Sequence, residues 1–98
     1  MQFRVHPLAY NDFIESYDYY DLQVKGLGEK FYAELMTVFQ MMESYPLRAR
    51  MIKGHYRISN LNIFPFQIIY TFNKEIKRTS IVSIHHASKD PRKRFRKF

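Results

Sequence analysis

The stretch FQIIYTFNKEIKRTSIVSIHHA, residues 66–87, decides the fold of this chain. Its first part, residues 66–73, is rich in aromatic and β-branched side chains, and a second such run occupies residues 79–87. The segment between them, residues 73–78, is mostly polar and charged. Such a pattern is typical of two antiparallel strands joined by a hairpin loop. The stretch therefore predicts two paired strands of a β-sheet.

Shorter strand signals lie on the N-terminal side of this hairpin. Residues 55–61 alternate weakly between apolar and polar side chains, and residues 50–53 precede Gly54 as a short edge strand. Residues 2–6 alternate as well, which suits a short opening strand. These segments add further strands to the predicted sheet.

Two amphipathic helices are predicted between the opening strand and the rest of the sheet. Apolar side chains recur at three- and four-residue spacing over residues 8–23 and again from about residue 28 to residue 44, before Pro46. Two glycines, Gly26 and Gly28, separate the patterns, so the helices form an antiparallel hairpin. The acidic side chains of the first helix are expected to face solvent: Asp12, Glu15, Asp18 and Asp21.

The order of these elements defines the expected fold class. It is β-α-α-β-β-β, which predicts an α+β protein with an antiparallel β-sheet and an N-terminal helical hairpin packed on one face. The length of 98 residues fits one domain, residues 1–98. For the last eleven residues the sequence leaves three alternatives open, namely a short helix, a hooked tail or partial disorder.

The charge of the chain is divided by position. Residues 1–46 carry three basic and seven acidic side chains, a net charge of −4. Residues 47–98 carry thirteen basic and two acidic side chains, a net charge of +11. A folded domain would therefore present a cationic surface built from its second half, and such a surface attracts phosphate-bearing partners. The composition predicts nucleic acid, or an acidic protein, as a partner.

The composition also excludes several classes of protein. The chain has no Cys, which removes disulfide frameworks and thiolate metal sites. The four histidines lack metal-ligand spacing, so we expect neither a metal nor a cofactor. No window approaches the roughly 18 apolar residues of a membrane span, and the N-terminus lacks the apolar run of a signal peptide. We therefore expect a soluble, cytoplasmic protein with no membrane partner.

Several weak motifs in the right order resemble the RelE/ParE toxin superfamily. They include the β-α-α-β-β-β order near a hundred residues, the helical GEKF segment of residues 28–31, and a second helix that ends before Pro46. Arg57 follows, and then the apolar strand FPFQIIY of residues 64–70. The closing HASKDP of residues 86–91 is similar to the H-x-x-R-[DN]-P ending of the family. The resemblance spans nearly the whole chain.

The resemblance implies the toxin of a bacterial type II toxin–antitoxin pair, with a cognate antitoxin as its partner. RelE-like members cut mRNA on the ribosome without a metal, whereas ParE-like members poison DNA gyrase. The first hypothesis is therefore a metal-independent, ribosome-associated mRNA endonuclease. The second is a ParE-type gyrase inhibitor without catalysis, and the third is an inactive relative that only binds its antitoxin.

Metal-free RNA cleavage needs a general base, a general acid and cations that hold the phosphate. In the family such residues lie on the exposed sheet face and the C-terminal segment, and this implies a catalytic set of His86, Lys89, Arg57 and Tyr70. His86 and Lys89 would handle protons or charge, Arg57 would hold phosphate, and Tyr70 would orient a base. The predicted RNA- or phosphate-binding cations are Lys53, Arg92, Lys93, Arg94 and Arg96, with Lys97 beside them.

Two neighbouring histidines end the last predicted strand. Because adjacent strand residues face opposite sides, His85 and His86 belong to different faces. Regular alternation would place His86 with Val82 and Ile84, and His85 with Ile81 and Ser83. Only His86 matches the family position.

The chain departs from the RelE-like nuclease pattern at two positions. Gln67 stands where such nucleases usually carry Arg, two or three residues before the Tyr. Arg94 stands where an aromatic residue is common, and Phe95 follows one step later. These departures weigh against a complete nuclease site and do not by themselves indicate a gyrase poison.

Overall fold

The predicted hairpin forms the centre of the sheet in a computed structural model, which describes residues 2–96 apart from the side chain of Gln2. The elements are β1 (Gln2–Val5), α1 (Pro7–Gln23), α2 (Leu27–Ser44), β2 (Arg50–Lys53), β3 (Tyr56–Asn60), β4 (Phe66–Asn73), β5 (Arg78–His86) and a 3₁₀ turn at Pro91–Arg94. Strand β4 pairs antiparallel with β5 along its whole length, from Asn73 opposite Arg78 to Phe66 opposite His86. The predicted α+β fold is confirmed.

The sheet has five strands in the order β1-β5-β4-β3-β2. The pairings β2–β3, β3–β4 and β4–β5 are antiparallel, as predicted. Strand β1 differs, because it pairs parallel with β5 from Gln2 opposite Arg78 to Val5 opposite Ile81. The sheet is therefore mixed. A pairing between the first and the last strand leaves no signal in the local sequence of either.

Helices α1 and α2 form the predicted hairpin and cover one side of the sheet, which we call the helix face. Its core contains the side chains of Ala9, Phe31, Leu35, Met42, Leu61, Phe64, Phe66, Ile68, Tyr70, Ile81 and Ile84. Phe31 lies at the centre, with ring centroids 4.9 Å from Phe66 and 5.4 Å from Phe64. Aromatic rings bury large apolar areas, so this face provides most of the hydrophobic core.

Acidic side chains of the helices hold the connecting loops. The Asp21 carboxylate accepts the backbone N–H groups of Gly26 and Gly28, at 2.9 and 3.3 Å. The Glu34 carboxylate accepts the backbone N–H groups of residues 62–64, at 2.9 to 3.2 Å. A side chain at Gly28 would place its Cβ 2.9 Å from the backbone oxygen of Tyr17, so the close approach of the two helices requires glycine there.

The opposite side of the sheet, which we call the tail face, carries a much smaller apolar cluster. Ile58, Ile69 and Val82 are buried there, with Ile52 and Tyr56 packed against them. The C-terminal segment folds back over this cluster, and the Phe95 ring lies 5.0 Å from the Tyr56 ring. Tyr56 also donates a hydrogen bond from its hydroxyl to the backbone oxygen of Arg96, at 2.9 Å. Of the three alternatives for the tail, the structure has a hooked segment with one 3₁₀ turn.

A bulge in β5 changes which residues share a face. Ile69 pairs with Ser83 and Tyr70 pairs with Ile81, which leaves Val82 as the extra residue. Val82 consequently packs with Ile69 on the tail face. The predicted grouping of His86 with Val82, and of His85 with Ile81, was therefore wrong, because Ile81 and Ile84 both belong to the core of the helix face. The opposite orientation of His85 and His86 is retained.

Candidate functional site

Arg57 and Tyr70 are direct partners across β3 and β4, and both bind the segment that links α2 to β2. The Tyr70 hydroxyl donates a hydrogen bond to the backbone oxygen of Pro46, at 3.0 Å. The Arg57 guanidinium donates from Nη1 to the backbone oxygens of Leu47 and Ala49, at 3.0 and 2.7 Å. Residues 46–49, which we call the linking segment, are therefore fixed to the sheet by these two side chains.

Tyr70 is completely buried. Burial raises the pKa of its hydroxyl, and the nearby positive charge of Arg57 opposes that rise. The Tyr70 hydroxyl is therefore protonated, and its proton is donated to a backbone carbonyl. This hydrogen bond gives Tyr70 a structural role. Its role in orienting an RNA base stays a prediction, and that role requires the linking segment to move.

His86 lies on the helix face at the end of β5, away from Arg57 and Tyr70. It pairs with Phe66, which is four residues from Tyr70 along β4, or about 13 Å at the usual rise of a strand. The His86 ring contacts the Phe66 ring edge-on, with centroids 5.1 Å apart. The structure thus brings Arg57 and Tyr70 together and keeps His86 at a separate position.

The hydrogen bonds of His86 define its tautomer. Its Nδ1 accepts the backbone N–H of Ser88 at 3.1 Å and lies 2.7 Å from the Ser88 hydroxyl. A backbone N–H can only donate, so Nδ1 is unprotonated and the neutral ring carries its proton on Nε2. The side chain of Lys89 lines the same surface cleft as His86. His86 therefore presents a donor, with an ammonium group nearby.

The cations of the tail face cluster around the Phe95 ring. Lys53 Nζ lies 4.9 Å from the ring centroid, and the Arg94 guanidinium carbon lies 5.3 Å from it. Arg94 also donates a hydrogen bond from Nη1 to Gln67 Oε1, at 3.1 Å. The two positions at which the chain departs from the nuclease pattern, 67 and 94, are therefore in direct contact.

Arg96 is part of a polar latch at the edge of the sheet. Its guanidinium pairs with the Asp12 carboxylate at 2.8 and 3.1 Å and also donates to the backbone oxygen of Val82, at 3.2 Å. Asp12 accepts the backbone N–H of Ile84 as well, at 3.0 Å. The pairing of β5 with β1 ends at Ile81, and beyond it Asp12 and Arg96 bind backbone groups at the edge of β5. Asp12 therefore anchors this edge and is not a solvated charge.

The remaining predicted cations are exposed. Arg92 forms an ion pair with Asp90 at 2.9 Å, and its side chain is 90% exposed. That pair holds the pKa of Asp90 below its usual value. Lys93 is exposed on the same turn. Lys97 lies outside the described residues.

His85 is buried beneath the tail, and no function was predicted for it. Its Nε2 lies 3.2 Å from the backbone oxygen of Lys89, and a carbonyl can only accept, so Nε2–H is the donor. Burial lowers the pKa of His85, the Lys89 carbonyl opposes this, and the positive charge of Arg94 adds to it. The ring is therefore a neutral structural group that connects β5 to the tail.

Metal-ligand clusters and membrane-spanning helices are both absent from the described residues. Within residues 2–96, no three His, Asp or Glu side chains come close enough to form a metal site. Over the same residues, neither helix has the length and apolar character needed to cross a membrane.

Comparison with known proteins finds similarity in structure alone. No family model and no curated protein matches the sequence. A solved structure described as the chromosomal ParDE TA system from P. aeruginosa contains a chain that is 16% identical, with a TM-score of 0.77. The match covers 90% of this chain and 97% of that one. This chain therefore has the RelE/ParE-type toxin fold, and the prediction made from its motifs is confirmed at the level of the fold.

Proposed function

We propose that this chain is the toxin of a type II toxin–antitoxin pair, that a cognate antitoxin inhibits it, and that it acts in the cytoplasm. The fold shared with a chain of a ParDE system supports this proposal. The positional division of charge supports it as well, because the basic second half provides a surface that attracts an anionic target.

The toxin acts by binding its target, and the target is DNA gyrase. The observation that carries this choice is the engagement of Arg57 and Tyr70 with the linking segment. Metal-free RNA cleavage needs a base, an acid and phosphate-binding cations around one reacting phosphate. Here the phenol is buried, the guanidinium is bonded to two carbonyls, and the imidazole of His86 lies about 13 Å further along the sheet.

The binding surface is the tail face. The tail is attached at three points. Arg94 binds Gln67 and Phe95 contacts Tyr56, both on the sheet, and Arg96 pairs with Asp12 on α1. The exposed cations on or beside the attached tail include Lys53, Arg92 and Lys93. Exposed cations on a fixed frame suit a complex with gyrase and its bound DNA, because each phosphate contact adds affinity without requiring chemistry.

The mRNA endonuclease is the second candidate. The observation that favours it is that His86, which presents an Nε2–H donor, and Lys89 line one cleft at the start of the basic tail. In that mechanism Arg57 and Tyr70 leave the linking segment and join His86 when the ribosome binds. A relative without a target, which only binds its antitoxin, would give no growth effect at all.

Growth arrest after induction in bacteria separates these candidates. One variant carries Lys53→Gln, Arg92→Gln and Lys93→Gln, and another carries His86→Ala with Arg57→Lys. We expect the first to relieve the arrest and the second to preserve it, because only the first removes the target contacts. Plasmid supercoiling and primer-extension mapping of transcripts are measured in the same cultures.

A matched control removes three exposed cations elsewhere, through Lys25→Gln, Lys30→Gln and Lys74→Gln. It should arrest growth as strongly as the original chain, since it changes net charge by the same amount away from the tail face. Transcript breaks at codon positions that vanish in the His86 and Arg57 variant would reject the gyrase proposal in favour of the nuclease.

A further inference from the structure

A cleft of about 320 Å³ opens on the helix face between α1 and the end of β5. The residues that matter for its chemistry are Glu15, Tyr19, Tyr20, Phe66, His86 and Lys89. The cleft lies on the side of the sheet opposite the apolar cluster that the tail covers, so it is separate from the proposed target-binding surface. The gyrase mechanism proposed above does not use it.

The walls of the cleft are aromatic and already in mutual contact. The Tyr20 ring lies 5.5 Å from that of Tyr19 and 6.2 Å from that of Phe66, and the Phe66 ring lies 5.1 Å from His86. Tyr19 is 60% exposed, so its ring is accessible to an incoming group. The rings meet edge-on, and the exposed face of Tyr19 favours a planar aromatic ligand, because nucleobases stack on such side chains whatever their sequence.

The polar groups of the cleft are complementary to one base in particular. His86 presents Nε2–H as a donor, because Ser88 occupies its Nδ1, and Lys89 adds an ammonium group. Glu15 contributes a carboxylate, which only accepts hydrogen bonds when ionised. Guanine offers the acceptors O6 and N7 on one edge and N–H donors on another. Adenine has one exocyclic donor group and no carbonyl oxygen, so it lacks both the second N–H for the carboxylate and the O6 acceptor for His86.

We propose that this cleft binds a guanine nucleotide. The base stacks on the exposed Tyr19 ring, its N–H groups donate to Glu15, its O6 accepts from His86, and its phosphate pairs with Lys89. A free nucleotide and a guanosine within a single strand share this chemistry. The proposal does not depend on the choice of gyrase as the target.

The test is calorimetric titration of the purified chain with GMP, AMP and guanosine. We expect GMP to bind more tightly than AMP, and Glu15→Gln to weaken GMP binding by about tenfold, as for the loss of a charged hydrogen-bond acceptor. Lys89→Gln should weaken the binding of GMP and leave that of guanosine unchanged, because guanosine lacks the phosphate. Glu43→Gln is the matched control, since it removes one exposed carboxylate on α2 outside the cleft.

A second arm identifies the source of the base. Two short single-stranded RNAs that differ by one guanine or adenine are titrated against the same variants. Tighter binding of the guanine strand than of GMP assigns the cleft to a strand, and equal binding assigns it to the free nucleotide. Absence of binding by both GMP and the guanine strand overturns the proposal, as does equal binding of GMP and AMP that Glu15→Gln leaves unchanged.

Discussion

The two faces of the sheet are built in different ways. The helix face is buried beneath two helices and centred on rings such as Phe31, which is fully buried. The tail face has an apolar cluster of three buried residues and is covered by the C-terminal segment, in which Phe95 is only half-buried. The first arrangement holds the fold together, whereas the second attaches charged side chains to a fold that already exists. We therefore expect the two faces to differ in stability and in function.

The largest expected effect is the difference in stability lost when one aromatic ring is removed from each face. Phe31→Ala should lower the free energy of unfolding by about 3–5 kcal/mol, because it leaves a cavity among packed rings. Phe95→Ala should cost about 1 kcal/mol, because its ring is partly solvated and covers a small cluster. Urea denaturation followed by circular dichroism measures both values. Equal losses would contradict the difference between the faces.

The next largest loss of stability is expected at the latch, where Arg96 of the tail pairs with Asp12 of α1. Arg96→Ala should cost about 2–3 kcal/mol, because it leaves the Asp12 carboxylate, which is only 20% exposed, without its partner. Arg92→Ala, which breaks the exposed pair with Asp90, should cost less than about 1 kcal/mol. A double-mutant cycle with Asp12→Asn isolates the coupling in the latch. Coupling no larger than that of the Arg92–Asp90 pair would show that the tail is not anchored there.

A smaller loss of stability is expected where the linking segment is bound to the helix face of the sheet. Tyr70→Phe should lower the free energy of unfolding by about 1–2 kcal/mol, because it removes the hydrogen bond to Pro46 without changing the packing of the ring. Tyr10→Phe, at a tyrosine that is 60% exposed, is the control and should have almost no effect. Growth arrest by Tyr70→Phe should be unchanged. Loss of arrest in a stably folded Tyr70→Phe chain would support a catalytic hydroxyl.

The smallest effect is a pH dependence on the tail face. Burial lowers the pKa of His85 below its ordinary value of 6.5. The unfolded chain therefore takes up a proton near pH 6.5 while the folded chain stays neutral, so stability falls as the pH drops below that value and levels off beneath the lowered pKa. The slope contributed by this one group is at most about 1.4 kcal/mol per pH unit.

Denaturation at about pH 7.5 and about pH 5.5, on either side of the ordinary histidine pKa, measures this contribution. His85→Gln should remove part of the acid destabilisation, whereas His55→Gln, at an exposed histidine, should leave it unchanged. An identical pH profile for the original chain and His85→Gln would show that the ring is not buried beneath the tail in solution.

Much of the fold could be predicted because local patterns determine it. The hairpin of residues 66–87, both helices and the glycines between them follow from periodicity and turn residues. The parallel pairing of β1 with β5 could not be predicted, because it joins the two ends of the chain. The bulge at Val82 was also hidden, since one extra residue in a strand of apolar side chains leaves the composition unchanged.

The site was harder to predict than the fold, because a residue type does not reveal its partner. Tyr70 and Arg57 look like catalytic groups in the sequence, yet they bind carbonyls of residues 46–49. Asp12 looks like a solvated helix charge, yet it pairs with Arg96, which is 84 positions away. The contact between Gln67 and Arg94 had a weak signal, since both positions depart from the nuclease pattern.

Purified chain titrated into a DNA gyrase supercoiling reaction on relaxed plasmid gives the most direct test. We predict that the chain inhibits supercoiling, that His86→Ala with Arg57→Lys inhibits equally well, and that the variant lacking Lys53, Arg92 and Lys93 is at least tenfold weaker, as expected for three lost phosphate contacts. Undiminished gyrase activity at saturating chain, together with cleavage of ribosome-bound mRNA that requires His86, would contradict the account.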